Sequence, residues 1–184
     1  MARKVGNIYR MYYSIVCPGT IAGDGSWAER AFIGLMETSD PASNNWEDKG
    51  YVITNASDKG LNYMVPSGDW ANCYYKFNAI DPSYIVADND EHWLIYGSWN
   101  SGIAAVKVDP ATGKPENLGN PWGTDAEIAP YGKVIATRQA GNRWQASEGP
   151  EIVYRNGYYY LFLAYDALEA VSYTHLTLPT ILRV

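Results

Sequence analysis

Two carboxylates stand where a carboxylate needs a reason. Asp81 interrupts the apolar stretch FNAIDPSYIV and is followed at once by Pro82, while Glu148, in SEGPEIVYR, precedes Gly149, Pro150 and a run of residues suited to a core. An Asp before Pro can cap a turn by bonding backbone two residues on, so a turn residue and a solvated loop residue are one reading of the pair. The other reading is a shared site. Close carboxylates raise each other's pKa, and the one that keeps its proton near neutral pH can donate it to a departing glycosidic oxygen. Spacing alone leaves both readings open.

The elements that must position these residues are strands. Period-2 alternation and aromatic or β-branched runs dominate, and no segment keeps a 3.6-residue apolar stripe, which predicts an all-β fold. Strand candidates are NIYRMYYSI, RAFIGLMET, SYIVAD, HWLIYGSW, IAAVKV, VIATRQ, EIVYR and YYYLFLAYD, separated by the turn signals DND, PATGKP and RNG. Three places share one design, an aromatic strand entered from a tight polar turn: VGNIYRMYYS, DNDEHWLIYGS and YRNGYYYLFLAYD. Gly6, Asn89 with Asp90, and Asn156 with Gly157 supply the turn chemistry. The stretches AFIGLMETSDPASNNWEDKGYVI and SGIAAVKVDPATGKPENLG read as the outer hairpins that would complete the first two copies as four-stranded units. Four short strands repeated radially make a β-propeller, and a β-sandwich also accommodates short strands with frequent turns; the repeat favours the propeller. In a propeller the starts of the innermost strands converge on a central channel, which would bring Asp81 and Glu148 to one pocket.

Composition narrows the function. The 184 residues, 47% hydrophobic, suffice for one core rather than two domains. Twenty acidic against 14 basic residues give a net charge of -6 with no basic stripe, which argues against a nucleic-acid partner. Sixteen Tyr and 7 Trp suit sheet cores and the stacking of sugar rings alike. Cys17 and Cys73 fit no metal spacing and read as buried thiols, and no apolar run is long enough for a membrane span. His92 reads as a lone exposed histidine on a hairpin, and Asp24, Glu29 and Asp166 as loop or turn residues.

NAIDPSYIVADNDEHWLIYGSWNSGIAAVKVDPATGKP and EGPEIVYRNGYYYLFLAYD together resemble glycoside hydrolase family 43, and within it the arabinan endo-1,5-α-L-arabinanases. The resemblance implies a five-bladed propeller, of which this chain would cover roughly the first two to three blades, and hydrolysis that inverts the anomeric centre. It makes Glu148 the general acid and Asp81 the modulator of its pKa, and it lines the sugar subsites with Asn78, Ala79, Ile80, Asp81, Ser98, Trp99 and Asn100. The order GSWNSG departs from the commoner GSFWSG, so the indole of Trp99 is expected to stack differently. The implied substrate is an arabinan polysaccharide or oligosaccharide, and the implied setting of the complete protein is secreted or periplasmic. Two alternatives stay open: an exo-acting arabinofuranosidase or β-xylosidase on the same fold, and a non-catalytic carbohydrate-binding propeller.

By the same resemblance, the catalytic base is an Asp that precedes residue 1, and the family's calcium ion is held through a His of a late blade that has no counterpart here. No cofactor is therefore expected within this chain, and calcium only in the complete protein. Residues 1–170 read as a partial catalytic propeller. VSYTHLTLPT resembles the conceptual translation of a sequencing adapter, so 171–184, including His175, are read as a non-native tail. The chain alone is expected to be inactive on arabinan and prone to aggregate.

Overall fold

The computed structural model describes residues 2–17, 30–54, 78–99, 102–116, 132–138 and 145–166, and every regular element among them is a strand. These are β1 (Ala2–Val5), β2 (Ile8–Cys17), β3 (Arg30–Thr38), β4 (Glu47–Thr54), β5 (Ser83–Val86), β6 (His92–Tyr96), β7 (Ile103–Val108), β8 (Lys133–Ala136), β9 (Ser147–Arg155) and β10 (Tyr158–Tyr165). They form two four-stranded antiparallel meanders, β1-β2-β3-β4 and β5-β6-β7-β8, and a hairpin, β9-β10. The all-β prediction holds. The three aromatic strands entered from polar turns are β2, β6 and β10, the second strand of each sheet. The turn before β10 shows why the composition matters: Asn156 (φ 53°) and Gly157 (φ 82°) are both left-handed, as a two-residue hairpin loop of type I′ requires.

The middle sheet is sandwiched. Along it, alternate residues enter two different cores: Tyr84, Leu94, Tyr96, Ala104 and Val106 pack with Tyr12, Ile33 and Leu35 of the first sheet, while Ile85, Ile95, Ile103 and Ala105 pack with Ile152, Leu161 and Leu163 of the hairpin. A sheet covered on both faces has no polar face, which is why SYIV, HWLIY and IAAV read as almost continuous apolar runs. Sheets stacked face to face in chain order give the radial arrangement. Their first strands also meet: Arg3 of β1 pairs with Glu151 of β9 at 2.5 Å, and Glu151 Oε2 accepts a hydrogen bond from Ser83 Oγ of β5 at 2.9 Å.

One expectation is corrected. The β3–β4 hairpin forms as read, but DPATGK does not turn β7 into an adjacent fourth strand; that strand is β8, at Lys133–Ala136. Asp109 Oδ1 accepts the N–H groups of Ala111 and Thr112, each at 2.8 Å, and curls the segment into a strap over the first sheet. There the buried guanidinium of Arg10 donates to Ala111 O (2.9 Å) and Glu37 Oε1 (2.7 Å), and Tyr12 Oη donates to Gly113 O (2.7 Å). Side chains of the first sheet therefore hold a turn of the second. His92 is also corrected: it is 7% exposed, its Nδ1 bonded to the hydroxyl of Tyr84, which in turn accepts from Arg10. Cys17 is half-buried at the end of β2 rather than deep in the core. No helix among the described residues is long and apolar enough to cross a membrane.

Candidate active site

Asp81 lies two residues ahead of β5, in a segment whose preceding carbonyl, Ile80 O, accepts the N–H of Gly97 at 3.0 Å. Its backbone is left-handed (φ 55°), a region that Asp tolerates better than most residues. The side chain is half-buried, and Oδ2 accepts the N–H of Gly149 at 3.1 Å. Burial pushes the Asp81 carboxyl above its ordinary value of 3.8, against the smaller opposing pull of the Gly149 N–H.

Glu148 is the second residue of β9 and pairs with Ala164 of β10. The next pair is Glu151 with Phe162, three residues on in β9 against two in β10, so β9 carries an extra residue and bulges at Gly149 and Pro150. Gly149 adopts φ 60°, a conformation in which glycine meets no Cβ penalty. The bulge turns the Gly149 N–H out of the ladder, where Asp81 takes it. Glu148 is half-buried, and its Oε2 accepts the Ser98 hydroxyl at 3.3 Å.

The corner after β6 joins these two segments. Trp99 is left-handed (φ 61°), its N–H donating to Ser147 O (2.9 Å) and its carbonyl accepting from Gln145 N (2.7 Å). Gln145, 1% exposed, accepts the N–H of Arg138 on Oε1 at 2.7 Å, which ties the end of β8 to the approach of β9. Ala146 (φ 47°) and Asp166 (φ 68°) are left-handed too, with Asp166 N donating to Ala146 O at 2.9 Å. For Trp99 and Ala146 such a conformation costs about 1–2 kcal/mol each, and for the two aspartates less. Their gathering around two carboxylates, rather than in hairpin turns alone, marks the place as one where geometry is held against local preference.

Of the residues expected to line the sugar subsites, Asn78, Ala79 and Ser98 are buried, Ile80, Asp81 and Trp99 are half-buried, and Asn100 lies outside the described residues. Asn78 Oδ1 and Ser147 Oγ are fully buried and have no hydrogen-bond partner among the described residues. Gln145, Ser147 and the N–H of Gly149 carried no signal in the sequence, because their importance comes from partners far along the chain. Asp166 pairs with Arg138 at the surface. Asp24, Glu29, Cys73, His175 and the segment 171–184 lie outside the described residues. Among those described, no cluster of three His, Cys, Asp or Glu side chains could hold a metal ion.

Stacked four-stranded sheets with converging first strands define a β-propeller. The profile of "Glycosyl hydrolases family 43" matches residues 2–179, and the chain belongs to that family of glycosidases. It is 28% identical over 158 residues to the Extracellular endo-α-(1→5)-L-arabinanase 1 of Bacillus subtilis, a match covering 86% of this chain and 37% of that protein. It is 26% identical over 160 residues to an Extracellular exo-α-(1→5)-L-arabinofuranosidase of Cellvibrio japonicus, covering 86% of the chain and 39% of that protein. A solved GH43 endo-arabinanase from Bacillus licheniformis superposes with a TM-score of 0.60 at 29% identity, over 92% of this chain and 45% of the other. The chain thus spans less than half the length of these relatives, and its sheets are two to three blades of the family's five-bladed propeller.

Proposed function

We propose that the complete protein is a secreted enzyme that hydrolyses internal α-1,5 bonds of L-arabinan with inversion, with Glu148 as general acid and Asp81 as the group that tunes and orients it. The observation that carries this reading is the bond from Gly149 N to Asp81 Oδ2, which docks the carboxylate of one sheet onto the residue that follows the carboxylate of the next. In the reaction, Glu148 gives its proton to the glycosidic oxygen as the bond from that oxygen to the anomeric carbon breaks. A water oxygen bonds to the anomeric carbon from the opposite face and loses its proton to a base carboxylate, set about 6.5–9.5 Å from the acid in inverting enzymes. In this reading the base is a carboxylate other than Asp81 and Glu148. Trp99, half-buried and bonded through its backbone to Ser147 beside Glu148, is the aromatic residue this reading would stack on a sugar ring. Secretion is supported by relatives named as extracellular.

An exo-acting arabinofuranosidase is the second reading, supported by the relative of that name. The test is digestion of linear α-1,5-arabinan by the complete protein. Mixed oligomers with an early fall in viscosity are expected, and release of arabinose alone would select the exo reading. Glu148→Gln should abolish hydrolysis of arabinan while retaining much of the rate on an arabinofuranoside with a nitrophenolate leaving group, which needs little protonation. Binding without any hydrolysis in the wild type would make the propeller a carbohydrate-binding module instead.

A further inference from the structure

The corner Gly97–Ser98–Trp99 is bonded to both carboxylate segments at once. Gly97 N reaches Ile80 O, next to Asp81; Ser98 Oγ reaches Glu148 Oε2; the Trp99 backbone holds Ser147 and Gln145; and Gly149 N closes the ring onto Asp81. We propose that Ser98 is a positioning residue for Glu148: its hydroxyl donates to Oε2 and so fixes the rotation of the carboxyl, leaving Oε1 to carry the proton delivered to the glycosidic oxygen. This rests on the reading of Glu148 as the acid.

Three features support the assignment over a direct contact with sugar. Ser98 is 2% exposed, so its hydroxyl sits behind the carboxylate rather than on a surface that a sugar could reach. A hydroxyl has one proton to give, and here it is spent on Glu148. The residue that follows is bulky and left-handed, a conformation it keeps because two backbone hydrogen bonds to the approach of β9 hold it. That strain gives the corner its aim: it sets Ser98 against β9 of the neighbouring sheet rather than along its own strand.

The experiment compares Ser98→Ala, Ser98→Thr and Glu148→Gln in the complete protein, on linear arabinan and on a nitrophenyl arabinofuranoside, with the melting temperature of each variant measured alongside. Losing a hydrogen bond to a carboxylate that carries the proton in flight should lower kcat on arabinan about tenfold for Ser98→Ala, with KM within about twofold. The loss on the nitrophenyl substrate should be much smaller, and threonine, which keeps the hydroxyl, should recover most of the arabinan rate if its melting temperature matches the wild type. Unchanged kcat in a folded Ser98→Ala protein overturns the proposal. So does a raised KM at unchanged kcat, which would make Ser98 a sugar contact, or an equal loss on both substrates, which would make it merely structural. If Glu148→Gln itself loses equally on both substrates, the acid assignment falls and this inference with it; a leaving-group-dependent Glu148→Gln beside a silent Ser98→Ala removes only Ser98.

Discussion

Asp81→Asn should make the protein more stable and less active. The ionised carboxyl is partly stripped of water, and the N–H of Gly149 does not fully compensate, so its pKa lies above the ordinary 3.8. A raised pKa means that the folded state holds the proton more tightly than the unfolded state. The resulting stabilisation is complete below about pH 3.8 and is lost as pH rises through the folded pKa, so at pH 7 the charge costs stability. Asparagine is neutral, presents an amide oxygen to Gly149 N and tolerates the left-handed backbone at φ 55°. Its midpoint of denaturation should therefore exceed that of the wild type at pH 7, and the gain should shrink toward pH 4. Activity on arabinan should fall at least about tenfold, because a neutral acceptor holds Gly149 N, next to Glu148, about 1–1.5 kcal/mol less strongly than a charged one. Asp81→Ala separates fold from function. It removes the acceptor of Gly149 N, an exposed donor whose hydrogen bond is worth about 0.5–1.5 kcal/mol net, and puts an alanine in a left-handed conformation, at about 1–2 kcal/mol, so with the cost of the charge relieved it should lose about 1–3 kcal/mol of stability. Urea titration of both variants with parallel kcat measurements decides the matter. An Asp81→Asn protein that is less stable than wild type at pH 7, or as active, would refute the reasoning.

Two other groups give sharp expectations. Arg10→Met removes the partner of Glu37 from a site 1% exposed and should cost about 3–5 kcal/mol in urea unfolding; adding Glu37→Gln should cost less than the separate losses combined. Burial, reinforced by the charge of Arg10, lowers the pKa of His92 below its ordinary 6.5. The unfolded chain then takes up the proton first, so the contribution of His92 is present above pH 6.5 and is lost as pH falls. His92→Gln should flatten the decline in melting temperature between about pH 6.5 and 5, and an unaltered slope would place the titration elsewhere.

Much of the fold was legible because each sheet opens with the same hairpin chemistry, and the aromatic runs of β2, β6 and β10 are long enough to show it. β1 was not. ARKV is short and charged, and it is a strand because Ala2 to Val5 pair with Met11 to Ile8. Gly149 and Pro150 masked the true start of β9, since turn residues inside a strand signal a break unless a bulge absorbs them. His92 was misread, although alternation places it in line with Leu94 and Tyr96 on a core-facing side. At the candidate site the two carboxylates stood out by their odd company of apolar and turn residues. The bonds from Ser98 to Glu148 and from Trp99 to Ser147 did not, because they link distant segments through groups that any serine or any backbone carries.

The double covering of the middle sheet changes how its alignment is chosen. In a sheet with one wet face, sliding a strand by one residue throws oily side chains into water and is rejected at once. Here the same slide of β6 would only exchange Leu94 and Tyr96 for Ile95 between two interiors, both dry. Oiliness cannot tell right from wrong in such a place, and besides the bond from His92 to Tyr84 two other discriminators remain. One is size, since Tyr96 of β6 fits an interior shaped by the tilted rings of Tyr12 and Tyr84, with centroids 5.2 Å apart, whereas Ile95 fits one filled by Ile85, Ile103 and Ile152. The other is the strap, whose carbonyls at Ala111 and Gly113 meet Arg10 and Tyr12 only when β7 ends where it does. The strap thus acts as an alignment gauge for the strand that leads into it, and shortening DPATGK by one residue should yield a protein that collapses with its strands out of step rather than one that fails to collapse.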